Sequence, residues 1–146
     1  MELTFDTIVD CPKARIDSFL NQYQARRNSK SSWEEHLAKC KNNFDDAESF
    51  LISLTNQMTG EYLAHALIVL QQRNKVCFFI RPTCNLEFHK ISPGVILLNL
   101  LGEHLHANGF ATVDLGPGDE TYKHRFANYF YDKLQLLNFD HFFGFF

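Results

Sequence analysis

The segment from 89 to 95, HKISPGV, combines cationic and hydroxyl side chains with the start of a predicted helix. A helix N-terminus presents unpaired N–H groups and a partial positive charge, and together these bind anions. A glycine at this place leaves the backbone accessible to a ligand. The sequence therefore predicts an anion-binding site built from His89, Lys90, Ser92, Gly94 and Val95. A capped structural helix without any ligand is the alternative explanation of the same residues.

A second group of reactive side chains lies between 114 and 123. Asp114 ends a predicted strand, where it is a candidate base or an anchor for a substrate amine, and a structural role is the alternative. In the segment GPGDETYK, Asp119 is an ordinary N-cap that opens a short helix. Tyr122 and Lys123 fall on that helix, and the N-cap role of Asp119 does not account for either side chain.

The histidines and cysteines predict no metal site. His104 and His106 are two residues apart on a helix, so their side chains point about 200° from each other. The four cysteines are widely spaced and form no CxxC pair. His65 lies in the middle of an apolar strand, which is typical of a core histidine with its hydrogen bonds satisfied.

Length and composition indicate one domain, residues 1–146, with a core rich in phenylalanine rings. The formal net charge of −3 argues against nucleic acid as a partner. No apolar run reaches the roughly 20 residues of a membrane-spanning helix, and the N-terminus lacks the layout of a secretion signal. We therefore expect a cytoplasmic protein with reduced thiols.

The elements that position these residues are visible in the hydrophobic pattern. A short strand over 3–9 precedes a helix that begins after Pro12 and ends near Arg27, and a capping box of Ser32 and Glu35 opens a second helix. From Ser49 the period changes to two, which predicts three antiparallel strands joined by short turns, with Pro82 ending the last one. The second and third of these strands are apolar on both faces, so helices should cover both sides of the sheet.

The remaining elements follow the predicted anion site. Ser92 and Pro93 open a long helix that ends at Gly109. Its buried stripe consists of Leu97, Leu98, Leu101 and Leu105. A strand over 110–115 should then lie parallel to the strand over 76–80. A short helix from Asp119 and two final strands, near 133–139 and 142–146, complete the predicted order.

This order of elements, β-α-α-β-β-β-α-β-α-β-β, resembles that of the GNAT acyl-CoA transferases. The stretch SPGVILLNLLGEHLHANGFATVDLGPGDETYKHRF looks like the signature of the cellulose-biosynthesis (CelD-type) acetyltransferase-like branch of that superfamily. The close match covers about residues 86–126. The resemblance implies an α/β fold with a mixed, mostly antiparallel sheet and helices on both faces.

The resemblance also implies a chemistry. GNAT enzymes move an acyl group from acyl-CoA, here acetyl-CoA or another acyl-CoA, to an amine or hydroxyl acceptor by direct attack, without a metal. Their pyrophosphate loop, Q/R-x-x-G-x-G/A, falls on 89–94, where only Gly94 is kept and His89 and Ser92 replace the other positions. Lys90 and Lys123 would add charge for an anion. Tyr122 matches the tyrosine that acts as general acid toward the leaving thiolate.

Two other functions remain open at this point. The degenerate phosphate loop favours a non-catalytic module that keeps the fold for protein contact. Aminoacyl transfer is the other alternative, because the CelD-type branch looks similar to peptidoglycan-bridge transferases. We expect a small-molecule, sugar or amine acceptor. The four phenylalanines within 142–146 also predict a homodimer that covers them, and packing of these residues under the first two helices of the same chain is the alternative.

Overall fold

A computed structural model describes residues 1–41 and 47–116 of the chain. Its elements are β1 (Glu2–Thr7), α1 (Lys13–Arg27), α2 (Trp33–Lys41), β2 (Ala47–Thr55), β3 (Tyr62–Gln71), β4 (Val76–Cys84), a 3₁₀ turn (Leu86–Ile91), α3 (Pro93–Ala107) and β5 (Thr112–Asp114). The predicted elements after residue 116 lie outside the described residues.

The strands form one five-stranded sheet in the order β1-β2-β3-β4-β5. The first four strands are antiparallel neighbours joined by short connections or by the α1–α2 pair, and β5 runs parallel to β4. A parallel neighbour needs a crossover connection, and α3 supplies it between β4 and β5. The predicted parallel pairing of these two strands is confirmed.

Helices cover both faces of the sheet, as the apolar strands predicted. On one face Phe19 and Tyr23 of α1 pack against Leu51, Leu67 and Val69. On the other face the leucine stripe of α3 packs against alternate residues of β2, β3 and β4, including Ile52, Ala66, Ile68 and Phe79. The four predicted stripe residues Leu97, Leu98, Leu101 and Leu105 are all buried. The predicted fold class, a mixed and mostly antiparallel α/β sheet, is therefore confirmed.

The prediction that Pro82 ends β4 is wrong. The strand continues to Cys84, and Pro82 lies opposite Ala66 of β3. The described β5 pairs with β4 only as far as Phe78, so Pro82 occupies a stretch of β4 with no described neighbour on its β5 side. Proline is tolerated at strand edges because its missing N–H removes no ladder bond there.

The predicted N-cap at Ser92 is correct in position and wrong in chemistry. Ser92 precedes α3 in the left-handed conformation, with φ 52° and ψ 63°, and its hydroxyl makes no capping hydrogen bond. A side-chain cap needs an extended N-cap residue, and the preceding 3₁₀ turn leaves Ser92 in a different geometry. One of the two bonds of the predicted box at Ser32 forms, because Ser32 Oγ accepts the backbone N–H of Glu35 at 3.3 Å.

Candidate functional site

The pairing between β4 and β5 is short, and this defines one edge of the candidate site. The two strands pair at Val76↔Thr112, Cys77↔Val113 and Phe78↔Asp114. β4 then continues to Cys84, whereas β5 ends at Asp114. Within the described residues, the stretch of β4 from 79 to 84 therefore has β3 on one side and no paired strand on the other.

A β-bulge lies at the start of this unpaired stretch. Leu67 of β3 is opposite Arg81 and Ile68 is opposite Phe79, so Ile80 is an extra residue in β4. A bulge bends its strand, increases the local twist and releases backbone groups from the ladder. The bulge lies next to the end of the described β4–β5 pairing, where β4 continues without a paired strand on that side among the described residues.

The start of α3 offers fewer backbone donors than the sequence predicts. Pro93 has no N–H, and the N–H groups of Val95 and Ile96 both donate to the Ser92 carbonyl, at 3.0 and 3.2 Å. Within the described residues, the N–H of Gly94 is the one donor of this first turn that has no acceptor. A Cβ placed at Gly94 would meet nothing within 4 Å, so the space beside it is open.

The other residues of the predicted anion site lie on the surface next to this helix start. His89 and Lys90 belong to the 3₁₀ turn and are exposed, as is Ser92, and Val95 is half-buried. His89 Nδ1–H donates to the Leu86 carbonyl at 3.1 Å, which directs Nε2 of the ring away from the turn. The structure thus brings His89, Lys90, Ser92, Gly94 and Val95 together around one helix N-terminus.

Asp114 ends β5 opposite Phe78, at the point where the pairing with β4 stops. Its Oδ1 accepts the N–H of Gly116 at 2.8 Å, a local bond that shapes the turn after the strand. Gly116 has a φ of 82°, and its Cβ position lies 3.6 Å from the Phe79 carbonyl oxygen. The carboxylate of Asp114 therefore has a structural role in addition to its place at the strand end.

Tyr122 and Lys123 lie outside the described residues, so their predicted roles are carried by the sequence alone.

A buried polar network lies under α1, and the sequence analysis did not predict its partners. His65 on β3 is fully buried, and its ring nitrogens contact the hydroxyl oxygens of Ser18 and Ser53 at 2.9 and 2.7 Å. Burial lowers the pKa of His65 to about 3, with a smaller contribution from the positive charge of Arg15. The expectation of a core histidine with satisfied hydrogen bonds is confirmed, and its partners became visible only in the tertiary structure.

Two further polar contacts connect α1 to the end of β4. Gln22 accepts a hydrogen bond from Thr83 Oγ1 at 2.9 Å and donates to the Tyr62 carbonyl at 3.1 Å. Arg81, the residue after the bulge, donates through Nη1 to the hydroxyl of Tyr23. These contacts place polar groups of α1 directly over the unpaired stretch of β4.

His36 of α2 completes this side of the site. Its Nε2 lies 2.7 Å from Ser31 Oγ, its ring stands edge-on to Tyr23, and its Nδ1 has no partner within the described residues. Burial, together with the positive charge of Arg81, lowers the pKa of His36 to about 4. The ring is therefore neutral at neutral pH. The sequence analysis did not identify His36, which is buried on α2.

A cavity of about 360 Å³ lies elsewhere, between α3 and β5. Its walls are Leu98, Asn99, Gly102, Leu105, His106, Phe110, Ala111, Thr112 and Val113. None of the predicted site residues lines it. In the part of the chain that the structure describes, no three histidine, cysteine or acidic side chains are grouped as metal ligands. No described helix is long and apolar enough to cross a membrane.

A five-stranded mixed sheet with one parallel pair and helices on both faces is the arrangement that the resemblance to the GNAT acyl-CoA transferases implied. Comparison with protein families agrees, because the model of the family described as "Acetyltransferase (GNAT) domain" matches residues 2–124. The chain therefore belongs to the GNAT acetyltransferase family. No curated protein sequence matches it.

Solved structures share the fold at low sequence identity. A GNAT family acetyltransferase from Staphylococcus aureus superposes with a TM-score of 0.57 and 14% identity, over 91% of this chain and 95% of that one. The ribosomal-protein-S18-alanine N-acetyltransferase of Escherichia coli gives 0.51 and 17%, over 77% of this chain and 64% of the enzyme. An aminoglycoside 6'-N-acetyltransferase in complex with coenzyme A gives 0.53 and 14%, over 84% and 71%. The chain thus spans less than two-thirds of the Escherichia coli enzyme.

Proposed function

We propose that this protein transfers an acyl group, acetyl in the simplest case, from acyl-CoA to an amine or hydroxyl acceptor. The observation that carries the proposal is that the described β4–β5 pairing ends at Phe78, next to the bulge at Ile80. In GNAT enzymes the pantetheine arm pairs with exposed backbone in such a gap. Here the unpaired stretch of β4 supplies that backbone.

The pyrophosphate of CoA is assigned to the start of α3. The Gly94 N–H and the helix dipole attract a negative charge, and the open space beside Gly94 admits a phosphate. Lys90 adds a positive charge from the adjoining 3₁₀ turn, and His89 adds its ring. Ser92, Val95 and Lys123 are proposed to complete the cofactor contacts.

The reaction is a direct displacement. The acceptor nitrogen or oxygen attacks the thioester carbonyl, the new C–N or C–O bond forms, and the C–S bond breaks to release the CoA thiolate. Backbone N–H groups at the bulge are proposed to stabilise the negative charge that develops on the carbonyl oxygen. Tyr122 is proposed as the general acid that protonates the thiolate, and Asp114 as the group that anchors or deprotonates the acceptor. No acyl-enzyme and no metal take part.

A non-catalytic role is the second candidate, and one observation favours it. Only one backbone N–H of the first turn of α3 is unpaired within the described residues, so the phosphate site is weaker than a helix N-terminus normally provides. A GNAT-fold domain without CoA affinity would serve in protein contact.

Three finer assignments also stay with this proposal. The motif over 92–126 supports membership of the CelD-type branch. Because that branch looks similar to peptidoglycan-bridge transferases, aminoacyl transfer is the alternative reaction. A cytoplasmic location fits four free thiols, two of them buried.

The test is acetyl-CoA binding to the purified protein. Acetyl-CoA at 100 times its Kd should stabilise the fold by about 2.7 kcal/mol, measured as a rise in Tm. In NMR spectra the amide signals of Gly94, Val95 and Ile96 should shift on titration.

Two substitutions at one position provide a matched comparison. Gly94→Asp adds an acid in the first helical turn, which favours the free helix but repels phosphate, whereas Gly94→Ala adds a methyl group in open space. The Asp variant should fold normally and lose acetyl-CoA affinity, and the Ala variant should keep most of it. Equal affinity in the Asp variant and the wild type would refute the phosphate placement. No binding by the wild type would favour the non-catalytic role.

A further inference from the structure

Arg81 carries a positive charge that no acidic side chain balances within the described residues. The ion pair between Arg15 and Asp6 is the one salt bridge found there, and it lies apart from Arg81. Arg81 is half-buried, and its hydrogen bond within this part of the chain goes to a neutral group, the hydroxyl of Tyr23. A partly buried cation without a counter-charge costs free energy that an anionic ligand would offset.

A second guanidinium lies on the same tyrosine. The Arg81 Cζ is 5.2 Å from the centroid of the Tyr23 ring, and the Arg27 Cζ is 5.3 Å from it. Both charges are attracted to the ring, but they have the same sign and repel each other. Tyr23 is 7% exposed, so the ring that both cations contact is held rigidly by the core.

The guanidinium of Arg81 is positioned and still accessible. The bond to the Tyr23 hydroxyl uses Nη1 of Arg81. The other two side-chain nitrogens, Nε and Nη2, are not fully buried without a partner, so their N–H groups reach solvent. Arg81 shares a sheet face with Leu67, its partner on β3, and therefore lies on the α1 side. A fixed guanidinium with free donors is suited to bind the two oxygens of a carboxylate.

His36 and Cys40 lie near Arg81. Glu35, whose negative charge acts on the same His36 ring, makes no salt bridge with Arg81 within the described residues. Burial lowers the pKa of His36 and raises the pKa of Cys40, and the positive charge of Arg81 acts in the lowering direction on both groups. His36 is uncharged at neutral pH, so it neither repels an anion nor competes with one for the guanidinium.

Arg81 also lies close to the proposed reaction site. It follows the bulged residue Ile80 directly and is three positions beyond Phe78, where the pairing with β5 stops. At a rise of about 3.3 Å per residue, these positions span roughly 3–10 Å along the strand. That distance matches the separation between a carboxylate and an amine or hydroxyl in a small molecule.

From this geometry we propose that Arg81, held by Tyr23 and assisted by Arg27, binds the carboxylate of the acceptor, so that the acceptor is a small amine or alcohol bearing a carboxylate. The inference rests on the proposed acyl transfer and adds the class of acceptor to it. The Arg81 side chain is a binding and specificity residue; it moves no proton in the reaction.

Binding of reaction-product analogues tests the inference without requiring turnover. The probes are a panel of N-acetyl amino acids and the N-acetyl amino acid amides with the same side chains, titrated by calorimetry in the presence of CoA. At least one carboxylate should bind the wild type roughly 10- to 100-fold more tightly than its amide, the range expected for a charged hydrogen bond. If no carboxylate in the panel is preferred over its amide, the inference is wrong.

Three variants locate the preference. Arg81→Gln keeps a donor near Tyr23 but loses the charge, and should bind carboxylate and amide alike. Arg81→Lys keeps the charge without the planar fork and should retain only part of the preference. Arg73→Gln removes the same charge from the exposed turn at the other end of β4 and should behave as the wild type. A full carboxylate preference in Arg81→Gln would overturn the assignment, and so would a full preference in Arg81→Lys should the first variant not fold. A loss of the preference in Arg73→Gln would also overturn it.

A separate acetyl-CoA titration distinguishes the two levels of the proposal. Acetyl-CoA affinity should be the same in the wild type and in Arg81→Gln, because Arg81 is not assigned to the cofactor. Carboxylate preference without any acetyl-CoA binding would refute acyl transfer and leave the anion site in place. Acetyl-CoA binding without carboxylate preference would refute the anion site and leave acyl transfer in place.

Discussion

The buried His65 should make the protein lose stability in mild acid, and the structure sets the size of the loss. Its ring is fully buried between Ser18 and Ser53, and burial lowers its pKa from 6.5 to about 3. At pH 7 the ring is mainly neutral in the folded and the unfolded chain, so it contributes little pH dependence there. As the pH falls below 6.5, the unfolded chain binds a proton on this ring and the folded chain does not. Stability is therefore lost progressively from pH 6.5 down to about pH 3.

A pH of 5 is about 1.5 units below the pKa of this histidine in the unfolded chain, and each unit corresponds to 1.36 kcal/mol. His65 alone should thus lower the free energy of unfolding by about 2 kcal/mol between pH 7 and pH 5. The assay is urea denaturation of the wild type and of His65→Gln at both values of pH. Carboxyl groups titrate in the two proteins alike, so the difference between their pH dependences isolates the histidine.

The variant should be less stable than the wild type at pH 7, because Ser18 and Ser53 lose the geometry of their partner, at a cost of about 1–3 kcal/mol. Its stability should then change about 2 kcal/mol less than that of the wild type on going to pH 5. His106→Gln, at an exposed position of α3, is the control and should keep the pH dependence of the wild type. Equal pH dependence in the wild type and in His65→Gln would refute the burial argument.

Three further outcomes are expected. Tyr122→Phe should lower turnover by roughly 10²- to 10⁴-fold with little change in acetyl-CoA affinity, and an unchanged rate would show that Tyr122 transfers no proton. Lys123→Ala should mainly raise a KM. Cys40 and Cys77 should resist a thiol reagent in the native protein, because both are buried and burial raises their pKa. All four thiols should react in denaturant. Fast labelling of Cys40 or Cys77 in the native protein would contradict their burial. Sedimentation at micromolar concentration should show a dimer that is lost when 142–146 are removed, and a strict monomer would exclude it.

Local patterns predicted those parts of the fold in which neighbours along the chain are also neighbours in space. The helical repeat of Leu97, Leu98, Leu101 and Leu105 identified the buried face of α3, because a stripe of that spacing has to be covered. Apolar runs on both faces of β3 and β4 required two layers of helices, and the helix between β4 and β5 required a parallel pair. The same reasoning grouped His89, Lys90, Ser92, Gly94 and Val95, which are close together in the sequence.

The sequence failed where a local signal competed with a contact from elsewhere in the chain. A proline normally ends a strand, but at Pro82 no described strand pairs with the β5 side of β4, so the missing N–H costs little there. Ser92 next to Pro93 normally caps a helix through its side chain, but the 3₁₀ turn before it imposes a left-handed backbone. The bulge at Ile80 has no signature in the sequence, because it is a mismatch in register between two strands.

By itself, the sequence determined the order of the elements through residue 116 and the two-sided core, since each depends on periodicity and on short spacings. Only the tertiary structure decided that Arg81 of β4 meets Tyr23 of α1, whose ring also contacts Arg27, and that His65 lies between Ser18 and Ser53. Residues that are 47 and 58 positions apart meet only when α1 lies across the sheet. No periodicity encodes such a meeting, because it depends on the register of the strands and on the packing of the helix over them.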